Sequence, residues 1–391
     1  MRILHVTIGM NFEEGGTQTV VRGLTKALAK KGVDISIFTT TNPEANTGNI
    51  CTPEGTKVKI FKRDFFSRFW NSHSFDFSRA INEEIKSFDL VNIHGIWNYP
   101  SFSTYWAAKK FNKPYIVMLH GALEPKSLSF KPLRKIAYFS IIQKKILREA
   151  AALWAANQEE ADNLKKILKT GRIIIIPNGL DLDEFKGVPE RRILDQYYPE
   201  LKNKTVITFL GRIHPIKGID ILIKAFSQAA KVDDNLRLAI VGPDNDGYKN
   251  ELEKIAKTEK ISEKIIFTGI AIGEKKLAIV GNSDILVLPS RSEVKGLVLA
   301  EAMACGVPVV ATRQCHFPEI GEVKAGIITD ADSDQIAKAI LELAKNPALR
   351  KQMGENGKNF VFQNLSWEKI SVTALNLYKS VLNEQISKRE I

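Results

Sequence analysis

Cysteine is scarce in this chain, with three in 391 residues: Cys51, Cys305 and Cys315. An odd number without metal-ligand spacing excludes a disulfide framework and a thiolate metal site. No run reaches the roughly 18 apolar residues that a membrane-spanning helix needs. The opening MRILHVTIG reads as a strand with one basic residue. It lacks the apolar core and small-residue cleavage site of a secretory signal, so a reduced, cytoplasmic protein is expected. Acidic residues are in deficit, 44 against 56 Lys and Arg, for a net charge of +12. That excess comes without a helix-turn-helix, zinc-finger or aromatic-basic RNA pattern, so no nucleic-acid partner is expected.

What is present is an α/β pattern repeated twice. At 44% hydrophobic and 26% charged residues the composition is that of an ordinary soluble protein, and the length suits two domains. In the first half, apolar runs at Ile3–Ile8, Val33–Thr39, Lys57–Lys62, Leu90–His94, Tyr115–Leu119, Leu153–Ala155 and Ile173–Ile176 read as strands. Helices are expected at Thr17–Lys31, Phe75–Ser87, Tyr105–Phe111, Leu133–Ala152 and Gln158–Leu168, the last capped by Asn157. A polar stretch from Asp181 to Pro199 reads as a surface hinge. The second half repeats the design, with strands at Thr205–Leu210, Arg237–Val241, Ile265–Thr268, Ile285–Leu288, Val307–Ala311 and Gly326–Ile328. Helices are expected at Ile219–Lys231, Leu297–Ala304, Ser333–Ala344 (capped by Ser333) and Trp367–Lys388. Two doubly wound, Rossmann-like domains follow, 1–185 and 186–366, with a closing helix over 367–391.

The most informative stretch is PSRSEVKGLVLAEAMACGVPVVAT, from Pro289 to Thr312. A buried strand end passes through a polar loop into a helix. Glu293 lies in the loop and Glu301 in the second helical turn. Between them the N–H groups of Gly296, Leu297 and Val298 have no intrahelical partners, and such a helix start attracts a phosphate. Two carboxylates beside an anion site suit a ligand with hydroxyls next to phosphate, such as a sugar nucleotide. Upstream, Arg212 and Lys217 lie five apart in GRIHPIKG, after a strand. A cationic pair there can neutralise a diphosphate and stabilise the charge on a leaving group.

These segments resemble the signature of the retaining glycosyltransferases of family 4, which have the GT-B fold of two Rossmann-like domains facing a central cleft. The family pattern P-S-x-x-E-G-F-G-L, E-A-M-A-x-G-x-P-V-V-A-T, G-G-x-P-E is matched from Pro289 to Glu319. Departures are Val294 and Lys295 for Gly and Phe, and Cys315 and His316 for the two late glycines. GRIHPIKG resembles the donor-phosphate motif G-R-x-x-x-x-K-G. The resemblance implies that Glu301 binds the ribose of the nucleotide, Glu293 the donor sugar, and the backbone at Ile270, after Gly269, the base. It also implies that the closing helix packs on the first domain.

In the first domain Gly15 and Gly16 follow the first strand, where glycines let a ligand approach the backbone. The family uses that loop near the donor phosphate and acceptor. His120, with Gly121, ends a strand, and the equivalent histidine of the family contacts the donor sugar near the reaction centre. His94 ends a neighbouring strand and is expected on the acceptor side. His5, inside an apolar strand, is expected in the core. Basic residues concentrate between Lys109 and Glu149, interleaved with Phe130, Tyr138, Phe139 and aliphatic residues. Such a segment suits either a solvated helix face or peripheral contact with an anionic membrane on its inner side.

The double-displacement route needs a carboxylate nucleophile, and the first domain offers only Glu124 near His120. The family is instead thought to use front-face attack, in which the leaving phosphate takes the acceptor's proton. That implies metal independence. Asp181-Leu182-Asp183 has the form of a metal-binding Asp-x-Asp, but it follows Pro177-Asn178-Gly179 and resembles the family's interdomain P-N-G-x-D. The expected function is transfer of a hexose from a nucleoside-diphosphate sugar, UDP-glucose or a related donor, to a glycan or lipid-linked acceptor. The segment His120 to Ala156 resembles enzymes of bacterial surface polysaccharide synthesis. The alternatives are a nucleotide-sugar 2-epimerase and a non-catalytic sugar-nucleotide-binding subunit.

Overall fold

The computed structural model describes residues 1–10, 16–42, 52–123, 142–168, 171–293 and 296–387. Gly15, Cys51, Glu124, Val294 and Lys295 lie outside the described residues, as do residues 124–141 of the basic stretch between Lys109 and Glu149. The chain divides into two compact units, Met1–Leu180 with Trp367–Ile391, and Asp181–Ser366.

Among the described residues the first unit holds a seven-stranded sheet. Its strands are β1 (Arg2–Ile8), β2 (Asp34–Thr41), β3 (Thr56–Lys62), β4 (Leu90–His94), β5 (Tyr115–Met118), β6 (Ala152–Ala155) and β7 (Ile173–Ile175). Their order is β3-β2-β1-β4-β5-β6-β7, and each neighbouring pair is parallel. The inner strands are covered on both faces, so they read as unbroken apolar runs. The edge strand β3 is polar and exposed by comparison, and its Lys57 and Lys59 pair with Asp34 and Glu84.

The helix expected from Tyr105 starts six residues earlier, at Tyr99. Asn98 caps it by accepting from the Ser101 amide at 2.9 Å, and Pro100 sits in the first turn, where its missing N–H costs nothing. Asn157 caps the helix Gln158–Leu168, accepting from Glu160 N–H at 2.8 Å. Of the helix expected over Leu133–Ala152, Lys144–Glu149 is described as helical. The C-terminal helix Trp367–Ser387 is part of this unit. Its Trp367 ring occupies the space beside Gly23 where any side chain would collide. Arg172 reaches Glu384 and Ser380, and Gln385 donates to Asn112 O.

The second unit holds a six-stranded sheet among the described residues. Its strands are β8 (Thr205–Leu210), β9 (Leu236–Val241), β10 (Ile265–Gly269), β11 (Ile285–Leu288), β12 (Val309–Thr312) and β13 (Gly326–Thr329). The order is β10-β9-β8-β11-β12-β13, again with parallel pairs. The stretch from Asp181 to Pro199 is not the loose hinge its polarity suggests. It carries the helix Arg191–Tyr197, with Leu194 fully buried, and Arg191 satisfies the carbonyls of Asn282, Leu201 and Lys204. The cap of the helix Ser333–Ala344 is Asp332 rather than Ser333, because the Asp332 carboxylate accepts from both Asp334 and Gln335 amides.

Each sheet reverses its winding at its centre, between β1 and β4 in one and β8 and β11 in the other. Open α/β sheets bind ligands at such a reversal, outside the carboxyl ends of the strands.

Candidate functional site

In the second unit, Lys217 and Glu293 come from the two strands that flank the reversal. Lys217 follows β8 and ends the 3-10 turn Pro215–Lys217, which His214 caps through Nδ1. Glu293 follows β11. Their side chains form an ion pair, sheltered at 18% and 16% exposure. Ser290 Oγ donates to the same carboxylate oxygen at 3.2 Å.

The two loops are fastened together by backbone. Arg291 N–H donates to Ile216 O at 2.8 Å, and Glu293 N–H donates to Gln314 O at 3.0 Å. The Arg291 guanidinium also grips Asp220 with two bonds, at 2.7 and 2.6 Å. Gly218 sits at φ +67°, and any side chain there would strike the carbonyl oxygen of Pro289. Only glycine lets the Lys217 loop lie this close to the end of β11. Arg212 is exposed, with no ion-pair partner among the described residues.

The helix Leu297–Ala304 starts at Gly296, and no side chain caps it. Glu301 is buried at 8% exposure. Its Oε1 pairs with Lys276 Nζ at 2.8 Å, while Oε2 is buried without a hydrogen-bond partner among the described residues. A buried carboxylate oxygen left unpaired is costly, and a ligand hydroxyl would satisfy it. The ends of β9 and β10 border a cavity of about 310 Å³ lined by Ile213, Gly242, Pro243, Phe267, Gly269 and Ile270. Lys249 Nζ lies over the Phe267 ring at 5.2 Å.

Cys315 and His316 take the places of two family glycines. Cys315 is buried, its Sγ 3.3 Å from Leu288 O, and burial pushes its thiol up to about 11. His316 holds the left-handed conformation at φ +50° that glycine adopts without strain.

In the first unit the histidines form a chain. His5 Nδ1 lies 2.8 Å from His94 Nε2, and His94 Nδ1 lies 3.0 Å from His120 Nε2. Asn92 Nδ2 also meets His94 Nε2 at 2.8 Å. With Asn92 donating there, His94 keeps its proton on Nδ1 and donates it to His120, whose own proton is then on Nδ1. His94 is 1% exposed and both its ring nitrogens are engaged, so the expected reach to an acceptor gives way to a place behind His120. His5 is fully buried, as its strand implied, but it also bonds His94 from 89 residues away. His120 itself is half-buried at φ +53°, and the next amide, Gly121 N–H, donates to Glu160 Oε1 at 2.7 Å. Glu160 takes Ala156 N–H on its other oxygen at 2.7 Å, and thereby fixes the strand-end turn. Gly16 opens the helix Gly16–Lys30 that follows β1.

Burial lowers the pKa of His5 to about 3 and of His120 to about 4, and holds His94 well below the ordinary value. Above about pH 6.5 these rings are neutral in both folded and unfolded chain, and they contribute no pH dependence. Below it the unfolded chain takes up protons that the folded chain refuses. Stability is therefore expected to fall from about pH 6.5 toward pH 4. Thermal melting at pH 5 and 7.5 checks this, and ring-proton NMR follows the histidines directly. A melting temperature equal at the two pH values would contradict it.

Among the described residues no group of three His, Cys, Asp or Glu side chains is placed to hold a metal ion. Asp183 of the Asp-Leu-Asp sequence pairs with Lys186 at 2.7 Å. No helix among the described residues is long and apolar enough to cross a membrane.

Residues 190–360 match the family model described as glycosyl transferases group 1, and residues 14–184 match glycosyltransferase family 4. Together the models take in every strand of the two sheets except β1, and the chain belongs to this glycosyltransferase family, with the two Rossmann-like domains of the GT-B fold. An uncharacterized glycosyltransferase of Methanocaldococcus jannaschii is 27% identical over 94% of this chain and 96% of its own. The phosphatidyl-myo-inositol mannosyltransferase of Mycobacterium leprae is 26% identical over 94% of this chain and 93% of its own. The crystal structure of Anabaena HepE in complex with UDP-glucose aligns with a TM-score of 0.78 and 20% identity, covering 97% of this chain and 100% of that one.

Proposed function

We propose that this glycosyltransferase moves a hexose, with retention, from a UDP-linked donor to a glycan or lipid-linked acceptor in surface polysaccharide synthesis, at the cytoplasmic face of the membrane. The observation that carries the reading is the sheltered Lys217–Glu293 pair at the strand reversal of the second sheet. A UDP-glucose complex among similar folds and a mannosyltransferase acting on a phosphatidylinositol among the relatives support the donor and acceptor classes.

In this reading Arg212 and Lys217 hold the diphosphate, with the amides of Gly296, Leu297 and Val298 adding donors, and the resemblance alone assigns Gly15 and Gly16 to the donor. Glu301 takes the ribose hydroxyls on its unpaired oxygen. The cavity beside Ile270 takes the base. Glu293, released from Lys217 as phosphate enters, accepts hydroxyls of the sugar, and the family resemblance assigns His120 a contact with the donor sugar. His94 keeps His120 in one tautomer. The acceptor oxygen bonds to the anomeric carbon on the face from which the diphosphate leaves. The carbon–oxygen bond to phosphate breaks, and the departing phosphate oxygen takes the acceptor's proton. Cations holding that oxygen lower the barrier by stabilising its developing charge. No divalent metal is required.

The test is the anomeric NMR signal of the first product, from a reaction run in excess EDTA. An α-linked donor is expected to give an α-glycoside at an undiminished rate. A β-linked product would mean inversion and a base on the protein. Loss of activity restored by magnesium or manganese would overturn the metal-independent route. Donor turnover with and without acceptor separates transfer from epimerisation.

A further inference from the structure

The segment after β3 carries phenylalanines that the fold leaves in solvent. Phe65 is 62% exposed, Phe66 49%, Phe69 79% and Phe75 58%. A contiguous apolar surface of this kind on a water-soluble unit marks an interaction site. The segment is firmly built. The Asp64 carboxylate accepts from Phe66 N–H at 3.0 Å and Phe75 N–H at 2.9 Å, and bonds His73 Nδ1 at 2.8 Å. Beneath it, His73 lies 4.0 Å from the Tyr99 ring and Trp70 lies 4.5 Å from Phe102. The exposed rings are thus presented on a braced turn.

Charge identifies the partner. Within residues 61–75 the cations are Lys62, Arg63 and Arg68, and the one carboxylate, Asp64, is spent inside the turn. Arg68 lies over the Phe65 ring at 5.3 Å. The ring contacts continue from Trp70 through Phe102 to Trp106, which is 47% exposed and has Lys145 at 5.6 Å. Apolar rings rimmed by cations match the headgroup–acyl boundary of an anionic bilayer. There rings bury apolar area while the cations meet lipid phosphates.

We propose that the Phe65–Phe75 turn is a membrane-insertion surface for an anionic lipid bilayer. The turn follows the carboxyl end of β3, on the same sheet edge as His94 and His120. It would hold that edge at the lipid surface, where a lipid-linked acceptor is met. This last step rests on the acceptor class proposed above, whereas the surface itself does not.

The test sediments the full chain with phosphatidylcholine vesicles, with and without phosphatidylglycerol. The wild type is expected to bind the anionic vesicles. The double variant Phe65→Ser, Phe69→Ser is expected to lose about tenfold or more in partition coefficient at low and high salt, because apolar burial is removed. In a separate Phe69→Trp variant, the fluorescence shifts to the blue with anionic vesicles. Wild-type sedimentation by the double variant would assign binding to surface charge alone and overturn the proposal. So would absence of binding by the wild type, or a wild-type dimer that the double variant dissociates. Transfer to a water-soluble acceptor is expected to be unchanged in the double variant. Absence of such transfer in the wild type would sink the catalytic reading and leave the insertion surface standing.

Discussion

Lys217→Ala is expected to lower glycosyl transfer by roughly two orders of magnitude or more, the scale on which loss of one charge-stabilising group slows a reaction. Two effects act together. The ammonium no longer meets the charge that grows on the departing diphosphate. Glu293, which pairs with Lys217, is also left as an uncompensated carboxylate in a sheltered place. Its negative charge then opposes the donor phosphate. Because the phosphate gains charge as the bond breaks, kcat is expected to fall more than KM rises. Steady-state kinetics over a range of donor concentrations measure the split. Turnover equal to wild type would remove Lys217 from the mechanism.

Glu301→Ala is expected to weaken binding of the donor nucleotide by about 10- to 100-fold, the loss of one to two hydrogen bonds to a charged acceptor. Calorimetric titration with UDP reads this directly. The prediction rests on the buried Oε2, which has no partner among the described residues, beside Oε1 held by Lys276 at 2.8 Å. The comparison variant is Glu301→Gln, which keeps a carbonyl oxygen and loses the charge, and it should fall between wild type and alanine. An unchanged UDP affinity with a lowered melting temperature would instead make Glu301 a structural partner of Lys276.

The apolar runs at Ile3–Ile8, Leu90–His94 and Ile285–Leu288 were legible because strands buried on both faces carry an unbroken hydrophobic signal. The helix Pro347–Asn364 was not expected. It carries Gly354 and Gly357, which weaken a helix locally, yet a side chain at Gly354 would strike the backbone of Gly306. There packing overrides propensity. The start of Tyr99–Lys110 is not legible locally, since Asn98 and Pro100 read equally well as a turn without the cap. The helix Arg191–Tyr197 reads as linker because its one deeply buried side chain, Leu194, gives almost no periodic signal.

The sequence by itself determined the two-fold α/β repeat, the helix start at Gly296 and the chemical identities of Arg212, Lys217, Glu293 and Glu301. Those follow from local rules: period, composition, and which side chains accept or donate. Only the tertiary structure decided the pairings. Glu293 meets Lys217 across 76 residues, His94 joins His5 across 89, and the C-terminal helix returns to the first unit through Arg172 and Glu384, 212 residues apart. The strand order, which brings β8 beside β11 and β1 beside β4, sets these contacts. Local sequence does not encode that order; it arises from burying both faces of each parallel sheet at once.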